Sequence, residues 1–397
     1  MAYSTPLPSH FILPDLVGHC TFPLTYHPAI ERVNALSNNW LASFCPDFTP
    51  KQRAALHGLS AGRLTAFCYP YSVTEERLQV VSDFMNFLFH LDNISDGMLG
   101  KGTEQLASVV MNALWFPDSY IPAKGGSPAS EECSAGRLAR DYWKRCIKHA
   151  KPGPQARFKE SLEMFFEAVH QQARDRDAGI VPDLESYIAL RRDTSGCKPV
   201  FDLIEYAADI DLPDEVVGHP VVKALNQGTN DLVTWSNDIF SYSVEQARGD
   251  THNMVVILMK YHGMDLQSAI DHVGILCKDT ITTFQHNLSL LPSFGDPKLD
   301  RDVAAYVQGL QQWIVSSLHW SFMTKRYFGT DGMEIKRTRV VWLLPKRGEE
   351  VTCDVTKEKR DRKRGQGRKP IPSRLVAARY MIRKAQHFIK PAQAFYV

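Results

Sequence analysis

No stretch of this 397-residue chain reaches 18 uninterrupted apolar residues, and Met1 to Leu16 shows no basic segment followed by a long apolar run. Neither a membrane span nor a secretory leader is therefore expected. The eight cysteines (Cys20, Cys45, Cys68, Cys133, Cys146, Cys197, Cys277, Cys353) are scattered without a CxxC pair. That spacing argues against a zinc site and a disulfide framework, and for a reducing compartment, the cytosol. There is no Gly-rich phosphate loop and no internal repeat, since the isolated pairs Gly58/Gly62 and Gly329/Gly332 do not build one. Strand-type alternation is scarce. What the chain has is 44% hydrophobic residues, ample for a large core, and helical spacing almost throughout.

The net charge of +2 conceals an asymmetry. From Pro345 to Val397 there are 15 Lys and Arg against 5 Asp and Glu, and before it 31 against 39. The body is acidic and the tail basic. The run Lys357–Arg364 has the charge to meet nucleic acid or anionic membrane, but its Gly, Pro and charge content reads first as a disordered extension, so no nucleic-acid partner is expected.

After an extended lead-in over residues 1 to 25, apolar residues recur at three- and four-residue steps. Examples are Ile30, Val33, Leu36, Trp40, Leu41 and Phe44, then Leu78, Val81, Phe84, Met85, Leu88 and Leu91. The second helix is expected to open on a capping box, Ser72-Val-Thr-Glu75, and to end at Gly97 and Gly100. Further helical patterns cover 158–174, 183–192, 251–264, 266–291 and 298–328, and a small-residue loop lies at 125–133.

Three places on these helices carry chemistry. Asn237, Ser241 and Glu245 repeat every four residues, an arc of about 80° and a span of about 12 Å. They are flanked by Val233, Phe240 and Val244, and Asn230 and Thr234 extend the stripe backwards. Polar oxygens on a core-facing stripe need partners, and a hard cation such as Mg²⁺ satisfies an amide oxygen, a hydroxyl and a carboxylate together. Asp92 and Asp96 continue the apolar stripe of the 78–91 helix into its C-terminal rim, where the helix dipole favours a cation. Arg191 and Arg192 sit where a helix breaks at Asp193-Thr-Ser-Gly196, and a guanidinium there suits phosphate oxygens. Each has a bland reading: a solvated polar face, an exposed acidic helix end, a solvated Arg pair.

Taken together, an aspartate-rich helix end at 92–96, an Arg before a helix break, N-D-x-x-S-x-x-x-E at 237–245 and Arg326-Tyr327 resemble a class I terpene cyclase, more closely the basidiomycete-type sesquiterpene synthases. The resemblance spans roughly residues 10 to 345. It implies an all-α bundle around a central apolar pocket as one domain, 1–345, followed by a basic low-order extension, 346–397. It also implies Mg²⁺-dependent ionisation of farnesyl diphosphate, three ions being expected once diphosphate is bound. Asp92, Asp96, Asn237, Ser241 and Glu245 would be the metal residues and Arg191 the diphosphate sensor. Thr194 and Ser195 would be the linker and effector of the helix break, and Arg326 and Tyr327 the diphosphate-binding pair. Two departures stand out, Asn93 in place of a second acid and Val244 where many relatives place Lys. Candidate pocket walls are Phe84, Phe87, Trp235, Trp313 and Trp320, with core packing as their alternative role. A chain-elongating prenyltransferase would show a second aspartate-rich motif in place of Asn237/Ser241/Glu245, and an inactive scaffold is the remaining alternative.

Overall fold

The computed structural model describes residues 8–98, 100–120 and 133–346. The extension 346–397, Lys346 apart, and the 125–133 loop, Cys133 apart, lie outside the described residues. The chain runs β1 (His10–Ile12), α1 (Leu16–His19), α2 (Ile30–Phe44), α3 (Pro50–Leu59), α4 (Ala61–Cys68) and α5 (Glu75–Ser95). It continues through α6 (Gly100–Trp115), α7 (Ser134–Cys146), α8 (Pro152–Asp177), α9 (Leu184–Thr194), α10 (Cys197–Ala208) and α11 (Asp214–Val217). Last come α12 (Pro220–Arg248), α13 (Met254–His262), α14 (Leu266–Ser289), α15 (Pro297–Met323), α16 (Lys325–Phe328), α17 (Gly332–Thr338) and β2 (Val340–Trp342). The fold is the expected helical bundle. Its one sheet among the described residues is an antiparallel pair, Phe11 opposite Val341, made by the extended lead-in and the end of the bundle.

Local chemistry sets the helix ends. Asp183 caps α9 by accepting from Ser186 N, Asn253 caps α13 by accepting from Val255 N, and Thr49 and Gln52 form a capping box on α3. The cap of α5 differs from the expected box. Thr74 accepts from Arg77 N, whereas Ser72 donates to Thr74 O, because Thr74 occupies the N-cap position, with the extended backbone from which a hydroxyl reaches the first-turn amides. Gly100 likewise opens α6 rather than closing α5. The 298–328 pattern is interrupted at Thr324, whose extended backbone ends α15 and caps α16. That break turns Arg326 and Tyr327 across the bundle.

The long helices pack their apolar faces into one continuous core, in which Phe84, Tyr142, Phe158, Phe201 and Phe240 are fully buried. Gly309 of α15 lets α10 approach closely: a methyl group there would lie 2.4 Å from Ile204 Cγ2. A cavity of about 180 Å³ remains between α4, α5, α8, α9, α10, α12, α15 and α16.

Candidate active site

On α5, Met85, Leu88, Phe89, Asp92 and Asp96 line this cavity. At about 100° per residue they share one arc of about 100°, so one helix face changes from greasy wall to acidic rim along its length. Across the cavity α12 contributes Val233, Thr234, Ser236, Asn237 and Glu245, α9 contributes Arg191 and Thr194, and α16 contributes Arg326 and Tyr327. The structure thus gathers at one mouth nearly every residue singled out in sequence. Ser241, one turn from each of Asn237 and Glu245 on the same helix face, is buried and does not itself line the cavity.

The mouth is tightly cross-linked. Arg326 Nη2 donates to Asp92 Oδ2 at 2.9 Å, and its guanidinium lies 5.2 Å from the centre of the Phe89 ring. Asn237 Nδ2 donates to the Tyr327 hydroxyl at 2.7 Å, and Asn237 Oδ1 accepts from Arg191 Nη2 at 2.9 Å. Arg191 also donates to Asp238 Oδ1, with Nη2 at 3.1 Å and Nε at 3.2 Å. Asp238 is buried and further accepts from the Tyr187 hydroxyl and from Met254 N at 3.0 Å. Asn253, fully buried, donates from Nδ2 to Asp238 O at 2.8 Å and to Glu245 Oε2 at 2.9 Å. Asp238, Tyr187 and Asn253 were not singled out in sequence. Asn253 had a readable signal, an Asn immediately before an apolar helical run.

The electrostatics favour a cation. Burial, then Asp92 and Asp250, push the Asp96 carboxyl up to about 7, although it opens onto the mouth and part of its surface meets solvent. Burial, then Asp250 and Asp238, do the same to Glu245, also to about 7. Asp250, five residues past Glu245, joins the acids of α5 to those of α12 and had escaped sequence reading. His252 Nε2 is buried with no hydrogen-bond partner, and burial and Arg191 hold that imidazole neutral, near 3.

Among the described residues no group of three His, Cys, Asp or Glu side chains could hold a metal ion, so a metal here would need amide, hydroxyl and non-protein oxygens beside the carboxylates. The donor set fits one. Ser241 Oγ is buried without a hydrogen-bond partner of regular geometry, on the helix face of Asn237 and Glu245, and the Glu245 carboxyl, raised by burial and then by Asp250 and Asp238, is a group whose ionised form a bound cation would favour.

The helix break falls at Ser195-Gly196, within the expected Asp193–Gly196 stretch but two residues later than its start, because α9 runs on through Thr194. Ser195 caps α9, its Oγ accepting from Cys197 N at 3.0 Å and sitting 3.1 Å from Asn230 Oδ1. Gly196 takes φ +68°, and a Cβ there would come within 2.8 Å of Leu88 Cδ2, so position 196 needs glycine on both counts. Trp313 and Trp320 line the cavity as expected, Trp320 lying 5.7 Å from Phe89. Phe84, Phe87 and Trp235 do not line it. Phe84 packs edge-on to Phe87 and Phe158 and beside Tyr142, because both phenylalanines project from the flank of α5 away from Asp92.

An all-α bundle whose apolar cavity opens through an acidic, arginine-bearing mouth is the architecture of a class I terpene cyclase. Residues 83–283 match the family described as terpene synthase family 2, C-terminal metal binding. Alpha-muurolene synthase of Coprinopsis cinerea is 64% identical over 337 residues, 85% of this chain and 78% of that protein. Sesquiterpene synthase Agr3 of Cyclocybe aegerita is 62% identical, covering 85% and 95% of the two chains. Among solved structures, the SVS_A2 protein from ancestral sequence reconstruction superposes with a TM-score of 0.66 at 22% identity over 79% of this chain and 89% of that one. Germacradien-4-ol synthase from Streptomyces citricolor gives 0.64 at 23%, over 76% and 96%. These structures share the fold. The chain belongs to the terpene synthases and, within them, to the basidiomycete sesquiterpene synthases.

Proposed function

We propose that this chain ionises farnesyl diphosphate with the help of Mg²⁺, releases diphosphate and closes the resulting carbocation into a sesquiterpene. The observation that carries the reading is the convergence of Asp92, Asn237, Arg191, Arg326 and Tyr327 on one mouth of a cavity walled by Leu64, Met85, Phe89, Trp313 and Trp320. A prenyl chain matches the wall and a diphosphate the mouth.

Asp92 and Asp96 from one side, and Asn237, Ser241 and Glu245 from the other, would hold the Mg²⁺ ions, three of them with diphosphate present. Bound there, the metal neutralises the leaving group's charge and so weakens the allylic carbon–oxygen bond. Arg191 and Arg326 add fixed positive charge, and each already contacts a metal-side oxygen, Asn237 Oδ1 and Asp92 Oδ2 respectively. Diphosphate binding would transfer these guanidiniums to phosphate oxygens, leaving Asn237 Oδ1 and Asp92 Oδ2 free to hold Mg²⁺. Tyr327 would turn the diphosphate's presence into closure, because it is bonded to Asn237 and follows Arg326 directly. Thr194 and Ser195 lie at the break between the sensor helix and α10, where movement of Arg191 reaches the cavity wall. Val244 leaves the mouth without the common lysine, and Arg248, one turn further on, lines the cavity mouth. No helix among the described residues is long and apolar enough to cross a membrane. We place the catalytic domain at 1–345 and the protein in the cytoplasm.

The test is incubation of the purified chain with farnesyl diphosphate and Mg²⁺, followed by gas chromatography with mass spectrometry of the organic layer. A cyclic C15 product, lost in Asn237→Ala and Glu245→Ala, is expected. Products that are only longer prenyl diphosphates, formed when isopentenyl diphosphate is supplied, would replace the reading with chain elongation.

A further inference from the structure

Hydroxyl groups are the unexpected component of this cavity. Apart from the Tyr327 phenol, six line it: Thr194, Ser195, Thr234, Ser236, Ser317 and Ser321. Every one of them has a protein acceptor within 3.5 Å for its proton. Ser317 Oγ donates to Ile314 O at 3.0 Å and Ser321 Oγ to Ser317 O at 2.7 Å. Thr234 Oγ1 donates to Asn230 O at 2.9 Å, Ser236 Oγ to Val233 O at 3.3 Å and Thr194 Oγ1 to Arg191 O at 3.5 Å. Ser195 Oγ is within 3.1 Å of two acceptors, Arg192 O and Asn230 Oδ1. A hydroxyl has one proton and two lone pairs. With the proton held by its own helix it offers the cavity an acceptor only, so it attracts positive charge but has no free proton to give to an alkene. Nor is it a ready trap for a carbocation, since a stable ether forms only if that proton is lost, and a backbone carbonyl is too weak a base to take it.

Ser317 and Ser321 are the pair farthest along this logic. They lie one turn apart on one face of α15, both buried and both lining the cavity, Ser317 one turn after Trp313 and Ser321 directly after Trp320. From this geometry we propose that the Ser317 and Ser321 oxygens are specificity determinants that hold positive charge on the part of the prenyl chain passing α15, and so bias which cyclised cation is deprotonated. The inference rests on the farnesyl diphosphate reading above. In a low-dielectric cavity a fixed dipole aimed at a cation counts for far more than in water.

The test uses the full chain with farnesyl diphosphate and Mg²⁺, following product ratios and diphosphate release separately. Ser317→Ala and Ser321→Ala are expected to change the ratio of major to minor products by about threefold or more while diphosphate release stays within about threefold of the parent, because both hydroxyls bond within α15 rather than to the acids and arginines that meet the diphosphate. Ser317→Cys and Ser321→Cys, close in size but with a weak sulfur acceptor, should shift the ratios in the same sense. Ser316→Ala is the control. Ser316 is fully buried on the same helix but does not line the cavity, and its replacement should leave the ratios unchanged. Parental ratios in both alanine variants, parental ratios in the cysteine variants alone, or an equal shift in Ser316→Ala would each overturn the proposal. Absence of any C15 product from the parent chain would instead defeat the function reading, and the proposal with it.

Discussion

Arg191 and Asp238 form a buried ion pair at 3.1 Å, and through it the proposed diphosphate sensor is fixed beside the proposed metal ligand Asn237. Asp238 lies about 20° round α12 from Glu245, at the edge of the metal face, and its carboxylate meets Arg191, Tyr187 and Met254 N instead of opening onto the cavity. Breaking a buried charge pair by removing one partner costs about 3 to 5 kcal/mol. Asp238→Ala is expected to lose that much stability in urea denaturation, and to lose activity even where folded protein is recovered. Unchanged stability would show that the pair is not a structural anchor.

Ser241→Ala should behave in the opposite way. Its hydroxyl is buried without a regular partner, so removing it leaves stability within about 1 kcal/mol or raises it. Metal-dependent turnover should fall by about 10- to 100-fold, with a matching rise in the Mg²⁺ concentration needed for half-activation. Thermal melting and a Mg²⁺ titration together decide this.

Protons should leave when metal binds. Asp96 and Glu245 are held up to about 7 by burial and by neighbouring acids. A carboxyl whose folded value is raised binds more protons folded than unfolded between about 4 and about 7. In metal-free protein its contribution to stability is therefore full at low pH and lost as pH rises through about 7. Mg²⁺ with diphosphate reverses the preference by favouring the ionised form. The gain in melting temperature on adding both should grow from about pH 6 to about pH 8, and calorimetry at about pH 6.5 in buffers of different ionisation enthalpy should register proton release. Binding heats independent of the buffer would refute the assignment.

Tyr327→Phe removes the hydroxyl that accepts from Asn237 at 2.7 Å. The cost in stability should be about 1 kcal/mol and the loss in kcat/KM roughly tenfold, from poorer orientation of Asn237. Steady-state kinetics that match the parent would remove Tyr327 from the closing apparatus.

Phe84→Ala and Phe89→Ala separate core from wall. Phe84 is fully enclosed by Phe87, Tyr142 and Phe158, so its truncation should cost about 3 to 5 kcal/mol and leave product ratios alone. Phe89 lines the cavity beneath Arg326 and beside Trp320, so its truncation should alter the products with a smaller loss of stability.

Helix type and the positions of the mouth residues were legible in sequence because each depends on a local period. Spacing by three and four residues marks a helix face, and Asp92, Asn237 and Glu245 interrupt such faces with oxygen. Asp238 and Tyr187 were not legible, since Tyr187 meets Asp238 only once α9 is laid against α12, and Asn253 was legible as a helix cap but not as a partner of Glu245. The wall was read half correctly for a similar reason. Aromatic content tells that a ring will be buried, but only the phase of α5 around its axis separates Phe84, in the core, from Phe89, on the cavity. The Ser72 box failed on backbone conformation, which the two hydroxyl residues of that turn do not reveal by spacing alone.

The β1–β2 ladder also has a topological meaning. Leu343 N donates to Ser9 O at 3.0 Å, and Gln246 Nε2 on α12 donates to Leu344 O at 2.7 Å. The two ends of the described bundle are thus stitched to each other and to the helix that carries Asn237, which makes the path of the backbone nearly a closed ring. A ring can be opened elsewhere. A circular permutant that joins residues 9 and 343 through a short linker, with new ends cut in the exposed turn between α14 and α15, should keep every contact of the mouth.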